Sequence, residues 1–506
     1  MNTNILNKWK FNKNFQKELE HFRGKIVTRF PPEPSGYLHI GHVKAILINY
    51  VVTKKYDGKF IFRLDDTNPD NETKEYKDAI SQDVLKLGII PDKISNSSDY
   101  FDELINFADY LVNNGLAYID NREQSIIKEE RMNRIENIFR NSPIDKNKKL
   151  WTDMKNGKSG SILRIKMDMK NENGALRDPT IYRSNNHNVF PTYDFCCPIV
   201  DSIEGVTHVF RSTEFVDRDA QYKWLLKLLN LRCPKLYGYG KVTFNDTVMS
   251  KRKIKSLIND GKLNGWDDPR LLTIRGAFRR GLCLEAIIDF SASMGFSKAE
   301  VSMTQQKLWV LNKKHIDKIS TRYTVLPINN IKLVKVHQAN DTFIDFENCK
   351  EWAKIRKYPS FGTRKIFYNS EILISNDDML SFSNNEEITL MNWGNMIVHK
   401  DDYCYLKLHL DGDFKTTEKK VLWLCHRLET PCTSVIVKTY KDSIAPCQIE
   451  EYIGEPDMKN IKKGDYIQLL RKGYYICDQA WSNDKSLILI EIPYETQVQK
   501  KIKMNT

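Results

Sequence analysis

The chain has no apolar run near the ~20 residues a bilayer-spanning helix needs. Met1–Lys25 is polar, with neither the apolar stretch nor the cleavage site of a secretory leader. A cytoplasmic protein with no membrane partner is the expectation. Cysteine is scattered: ten residues, none in a Cys-x-x-Cys pair, with only Cys196 and Cys197 adjacent. That spacing excludes a disulfide framework and a four-ligand zinc site, so reduced thiols in cores are expected and no metal ligand is assigned. Glycine (23) and proline (17) are too few for a collagen-like or proline-rich chain. No repeat of solenoid period and no low-complexity segment is present. What is present is 506 residues, 41% apolar and 28% charged. That is material for several cores, and at ~100–200 residues each for about three to five domains.

Charge is unevenly placed. The chain carries 78 Lys+Arg against 65 Asp+Glu, a net +13. From Ile331 onward basic and acidic residues are equal at 25 each, so the first two-thirds holds the whole excess, 53 against 40. A polyanionic partner is expected to meet that part of the chain.

Lys25–Phe30 reads as a strand, Pro31–Tyr37 as a rigid turn, Gly41–Lys55 as a helix apolar on most faces, and Lys59–Leu64 as a second strand. Strand, helix, strand is a βαβ unit of parallel strands with a right-handed crossover. Ligands bind at the carboxyl ends of such strands, where segments 29–42 and 65–69 lie. Gln124–Ile138 reads as a charged, solvated helix, Ser161–Met167 as a strand, Asn188–Phe210 as a second apolar strand region, and Asp219 to about Ile319 as helical. After Arg322 short β runs recur between turns, as in Ile388–Val398, Ser434–Tyr440 and Ser486–Ile492. That is an all-β pattern of sandwich or barrel type.

His39-Ile-Gly-His42 stands where a strand-loop opens a helix. The spacing puts both imidazoles on one face of the first turn, and Gly41 admits close backbone approach. Free N–H groups and the helix dipole already attract phosphate there, and two imidazole donors would strengthen the site. Taken alone, the tetrapeptide reads first as two ordinary histidines, or as two metal ligands lacking a third. Val248-Met-Ser-Lys-Arg252 lies about 200 residues on. It could be a cationic loop that clamps phosphates through Lys251, or a solvated basic turn.

In this order, over a βαβ unit, the two motifs resemble the "HIGH" and "KMSKS" signatures of class I aminoacyl-tRNA synthetases. Val248 and Arg252 depart from the outer residues of the second, and Lys251 is kept. Thr28–His42, Arg63–Pro69, Pro191–Phe195, Trp266–Arg270 and Val248–Lys253 resemble the glutamyl/glutaminyl branch. The likeness runs from about Val27 into a β-rich tail of the archaeal/eukaryotic cytoplasmic type. It implies an α/β Rossmann-type catalytic domain with an α+β insertion, a helical linking region and an all-β C-terminal part of two β-barrels. The expected boundaries are a short extension at 1–24, catalytic halves at 25–99 and 188–254, an acceptor-stem-binding insertion at 100–187, a linking region at 255–322 and anticodon-binding barrels at 323–506. With so short an extension, the N-terminal interaction domain of some eukaryotic relatives is not expected.

The resemblance also implies the chemistry. Glutamate attacks the α-phosphate of Mg²⁺·ATP, and the acyl group then passes to the 3′ end of tRNA-Glu. His39, His42 and Lys251 are the expected catalytic residues. The nucleotide is expected to meet His39, Gly41, His42, Glu214, Lys241, Val248, Met249, Ser250 and Lys251. Lys241 departs from the Arg of relatives. The amino acid is expected to meet Arg29, Phe30, Pro31, Asp65, Tyr193 and Arg211, with Asp65 on its ammonium. Arg211 is the expected discriminator, because glutaminyl relatives carry Cys there. A guanidinium stabilises a γ-carboxylate and would be left partly unpaired against an amide, at a cost of roughly 3–5 kcal/mol. Arg183 is expected to be structural. Trp352, Trp393, Tyr474 and Tyr475 are candidates for stacking on bases or for cores. A monomer is expected. The alternatives are a glutaminyl enzyme and a catalytically silent tRNA-binding protein.

Overall fold

The computed structural model describes residues 6–68, 72–157, 160–185, 188–337, 350–354, 363–401, 403–428, 431–441 and 445–494. It resolves into two units. One comprises Met1–Asn245, Ser250–Arg252 and Ser291–Met303, and the other Asp246–Met249, Lys253–Phe290 and Thr304–Thr506.

The first unit opens with helix α1 (Lys13–His21), capped by the Asn12 side chain accepting from Phe15 N–H. Strand β1 (Val27–Phe30) pairs in parallel with β2 (Lys59–Leu64), and β2 with β3 (Lys93–Asn96). The crossover from β1 to β2 is α2 (Ile40–Lys55), buried along most of its length as its apolar faces require. Gly58 permits the tight return, since a Cβ there would lie 2.2 Å from Ile26 O. Helix α3 (Lys74–Lys86) returns the chain to β3.

Beyond α4 (Phe101–Asn113) comes an antiparallel sheet of β4 (Ala117–Asp120), β5 (Ile162–Ile165), β6 (Thr180–Asn185) and β7 (Asn188–Pro191), in that order. Between β4 and β5 lie α5 (Gln124–Asn133) and α6 (Ile144–Lys155). The charged run at 124–138 is thus helical only to Asn133. Arg134 turns left-handed (φ 59°) and ends the helix, its guanidinium paired with Glu172 at 2.7 Å.

The expected strand region at 188–210 is half helix: β7 leads into α7 (Tyr193–Ile203), and only then comes β8 (His208–Ser212). A run such as Phe195–Val200 has no periodicity that separates a buried helix from a buried strand. Packing decides it: Phe195, Cys196, Ile199 and Val200 enter one core with Leu104, Leu111, Trp151, Leu163 and Tyr182. Helix α8 (Asp219–Leu228) then joins β8 to its parallel neighbour β9 (Lys235–Tyr239). Thr207, just before β8, donates its N–H to Val27 O at 2.9 Å and sets β8 beside β1. Short β10 (Val242–Phe244) pairs in parallel with β11 (Val301–Met303). These strands interrupt the region read as helical from sequence, being only three to five residues long. The fold is Rossmann-like, and strand order turns between β1 and β8, the place where such sheets bind ligands.

In the second unit the helices Ile274–Arg279 and Gln306–Ile316 precede two seven-stranded sheets. In one, β12 (Thr321–Tyr323) and β13 (Val325–Pro327) are the two edges, yet only Thr324 separates them in sequence. In the other, the edge strands Lys420–Val421 and Trp423–Cys425 are separated only by Leu422. Each sheet therefore curls until its edges meet along the chain, giving two nearly closed barrels and managing the unpaired-edge problem. The aromatic candidates here are core: Tyr474 and Tyr475 are each 5% exposed, and Trp393 packs 4.8 Å from Trp423. The Trp352 side chain lies outside the described residues.

Candidate active site

A cleft of about 700 Å³ opens at the carboxyl ends of β1 and β8 in the first unit. Its wall includes His39, His42 and Lys251, and also Arg29, Phe30, Pro31, Asp65, Tyr193 and Arg211. Residues from six separate segments thus meet in one cavity. Gly41, Glu214, Lys241, Val248, Met249 and Ser250 are not on the wall. Glu214 and Lys241 pair with each other at 2.7 Å, and Val248 packs with Ile254, Leu257 and Leu263 in the second unit.

The two histidines form a reciprocal cap on α2. Gly41 N–H donates to His39 Nδ1 at 3.1 Å, and His39 N–H donates to His42 Nδ1 at 3.1 Å. The rings stack with centroids 3.8 Å apart. Burial, aided by the charges of Lys251 and Lys241, lowers His39 to about 4 and holds His42 well below the usual range. Both rings are neutral, and since each Nδ1 accepts, each proton is on Nε2. Neither Nε2 has a protein partner among the described residues, so both donors are left to the cleft. Gly41 serves this geometry: a Cβ would lie 2.8 Å from His39 Cε1. Lys251, opening helix Lys251–Asn259, donates to Ser35 Oγ at 3.0 Å and Glu33 O at 3.3 Å. Burial draws its ammonium below its usual range.

Asp65 follows β2 directly. Its N–H bonds Pro32 O at 3.0 Å, tying the two functional loops together, and Ser97 Oγ donates to it at 3.3 Å. Burial raises this carboxyl to about 6, with the Arg63 charge opposing. Arg211, on β8, is 7% exposed and ion-paired to Asp219. Arg29 is fully buried and already matched: Nε and Nη2 bond Asp201, and Nη1 bonds Phe210 O at 3.5 Å. Arg183, expected to be structural, reaches the wall and donates to Thr67 O at 3.1 Å.

Beneath the wall lies a network that the sequence reading did not single out. Asp201 accepts from Arg29, from Arg63 at 2.6 Å and from Tyr222 OH at 2.8 Å. Arg63 also reaches Glu204 at 2.8 Å, which Ser95 and Tyr100 bond in turn. The two arginines hold Asp201 down at about 2 against its burial. The one signal in the sequence is an arginine in each of two apolar strands, with two acids three residues apart on one helix. The pairing needed the fold.

A family profile described as the catalytic domain of tRNA synthetases class I (E and Q) matches residues 25–318. The chain belongs to this family. Two further profiles, described as anti-codon binding domains of the same class I (E and Q) enzymes, match residues 320–411 and 432–478. Among similar proteins, a probable cytoplasmic glutamate–tRNA ligase of Schizosaccharomyces pombe is 40% identical over 93% of this chain and 70% of its own length. A cytoplasmic glutamate–tRNA ligase of Saccharomyces cerevisiae is 37% identical over 96% of this chain and 73% of its own. A bifunctional glutamate/proline–tRNA ligase of Mus musculus is 39% identical over 93% of this chain, which spans 34% of that longer protein. Among the described residues no helix of this class I synthetase is long and apolar enough to cross a membrane.

Proposed function

We propose that this chain is a glutamate–tRNA ligase, acting as a monomer in the cytoplasm. It would activate L-glutamate with ATP and pass the glutamyl group to the 3′ end of tRNA-Glu. The α-carboxylate is ionised at neutral pH and attacks the α-phosphate unaided, so the protein needs no general base. Its part is positioning and charge stabilisation. The Nε2–H groups of His39 and His42 donate to the nucleotide phosphates, and Lys251 adds a cation. Asp65 takes the substrate ammonium, Tyr193 lines its side, and Arg211 takes the γ-carboxylate. Glu214 and Lys241, paired with each other off the cleft wall, are further candidates for nucleotide contact. Among the described residues no group of three or more His, Cys, Asp or Glu side chains could hold a metal ion. Mg²⁺ belongs to the nucleotide, as is usual where phosphates carry it.

The observation that carries the choice of amino acid is Arg211: a nearly buried guanidinium on the wall that also holds Asp65 and the paired imidazoles. The test is charging of purified glutamate and glutamine tRNAs with labelled amino acids. Glutamate transferred to glutamate tRNA is the expected result. Charging of glutamine alone overturns the reading, and ATP use that no tRNA stimulates points to a different enzyme.

A further inference from the structure

Arg211 is gripped by one face of the segment that follows it. Phe215, Asp219 and Tyr222 are spaced by four and three residues along a continuous helical run, the 3₁₀ turn Thr213–Arg218 and then α8. The Phe215 and Tyr222 rings stand 5.7 and 5.2 Å from the guanidinium carbon. Between them in sequence, Asp219 Oδ1 accepts from Nε at 2.9 Å and from Nη2 at closer range. Nη1 has no protein partner among the described residues.

We infer that Asp219 is a positioning residue for Arg211, and through it sets the preference for a substrate bearing a γ-carboxylate. The inference rests on the glutamate reading above. An arginine side chain has several rotamers, and fixing one costs conformational entropy. In the unliganded cleft a nearly buried guanidinium also needs a counterion. Asp219 answers both needs from the side, taking one edge of the fork and leaving Nη1 for the ligand. Asp194 is occupied by Arg218 at 2.8 Å, and Glu214 by Lys241 at 2.7 Å. Among the described residues no hydrogen bond or ion pair joins Asp219 to His39, His42 or Lys251, so its effect should be confined to the amino acid.

The test is tRNA-dependent pyrophosphate exchange by the full chain, with KM measured separately for glutamate and ATP. Asp219→Ala should raise KM for glutamate tenfold or more while KM for ATP stays within twofold. Asp219→Asn, which keeps the shape and one neutral acceptor, should fall between Asp219→Ala and the unaltered protein. Glutamate KM within twofold in both variants overturns the inference. So does a parallel rise in both KM values, which a merely structural role would give. If the unaltered protein shows no glutamate-dependent exchange, the glutamate reading itself has failed. If it does and Asp219→Ala matches it, only the role of Asp219 has failed.

Discussion

The main chain of His39 fixes the protonation of His42. The main-chain N–H of His39 donates to Nδ1 of His42 at 3.1 Å, and the Gly41 N–H does the same for His39. The turn that caps the helix therefore also commits both rings to the Nε2–H form. The motif does two jobs with one set of atoms: it starts α2, and it turns two neutral donors to the cleft, where in the proposed reaction they would meet the nucleotide phosphates.

Nitrogen spectra of the ¹⁵N-histidine-labelled protein should show both rings as the Nε2–H tautomer. Neither should titrate between pH 8 and pH 5, since burial holds His39 at about 4 and His42 well below its usual range. The sign for stability follows. Free histidine protonates near 6.5, so below that pH the unfolded chain takes up protons that the folded rings refuse. Stability is complete above about 6.5 and falls as pH drops toward 4. A ring that titrates near 6.5, or carries its proton on Nδ1, contradicts the reciprocal cap.

His39→Asn separates the two jobs. Asparagine is a good cap, so melting should barely change, while the lost donor should slow pyrophosphate exchange by about 10²–10³-fold. His39→Ala should lose the same activity and roughly 1 kcal/mol of stability as well. Equal melting of the two variants would show that the cap contributes nothing.

Asp65 is held at a cost. Burial lifts its carboxyl from 3.8 to about 6, so at pH 7 the ionised form destabilises the unliganded protein by about 3 kcal/mol. The folded pKa is raised, so this penalty is present above about 6 and is relieved as pH falls from 6 toward 4. In the proposed function a substrate ammonium would remove it on binding. Asp65→Asn should therefore raise the melting temperature of the unliganded protein at pH 7 and weaken glutamate binding by tenfold or more. In the unaltered protein, KM for glutamate should climb as pH falls below about 6. A variant that melts lower and binds glutamate normally would place Asp65 outside the ligand site.

The contrast between Asp65 and Asp201 shows where sequence reading reaches and where it stops. Asp65 lies in a loop whose neighbours, Pro31 and His39, announce a site, and all three reach the same cleft. Asp201 lies in an apolar helix that the sequence presented as strand, and its partners Arg29 and Arg63 come from β1 and β2. Nothing local predicts that pairing, because it forms only when strands 34 residues apart lie side by side and the helix crosses beneath them. The barrels were legible as β by their alternation, but their closure was not. It depends on single residues, Thr324 and Leu422, where the chain leaves one edge and joins the other.

Asp201→Ala should therefore be severe. It removes the acceptor shared by two fully buried guanidinia, and breaking such a set typically costs about 3–5 kcal/mol. Asp201 is depressed to about 2, so its stabilisation is present above about 4 and is lost as pH falls through 2. Thermal melts at pH 7 should show the loss, and the variant's melting should depend less on pH between 4 and 2. A change under 1 kcal/mol at pH 7 would mean that Arg63 finds enough in Glu204 alone.

The segment before β1 carries Phe11, Phe15 and Leu19 at four-residue spacing, one face of α1 and its approach. That face meets the back of the strand bearing Arg211. The Phe15 ring lies 6.2 Å from Phe210 and 4.9 Å from Tyr237, and Glu18 accepts from Lys235 at 2.7 Å. Phe210 in turn lines the cleft and receives Arg29 on its carbonyl. Leu19 is fully buried, so Leu19→Ala should destabilise the protein by about 2–5 kcal/mol in denaturant titration. Phe15→Ala removes a half-buried ring that touches the strand itself, and should raise KM for glutamate more than KM for ATP. A Leu19→Ala loss under 0.5 kcal/mol, the size expected of surface substitutions, would make α1 an appendage and leave β8 supported by the sheet alone.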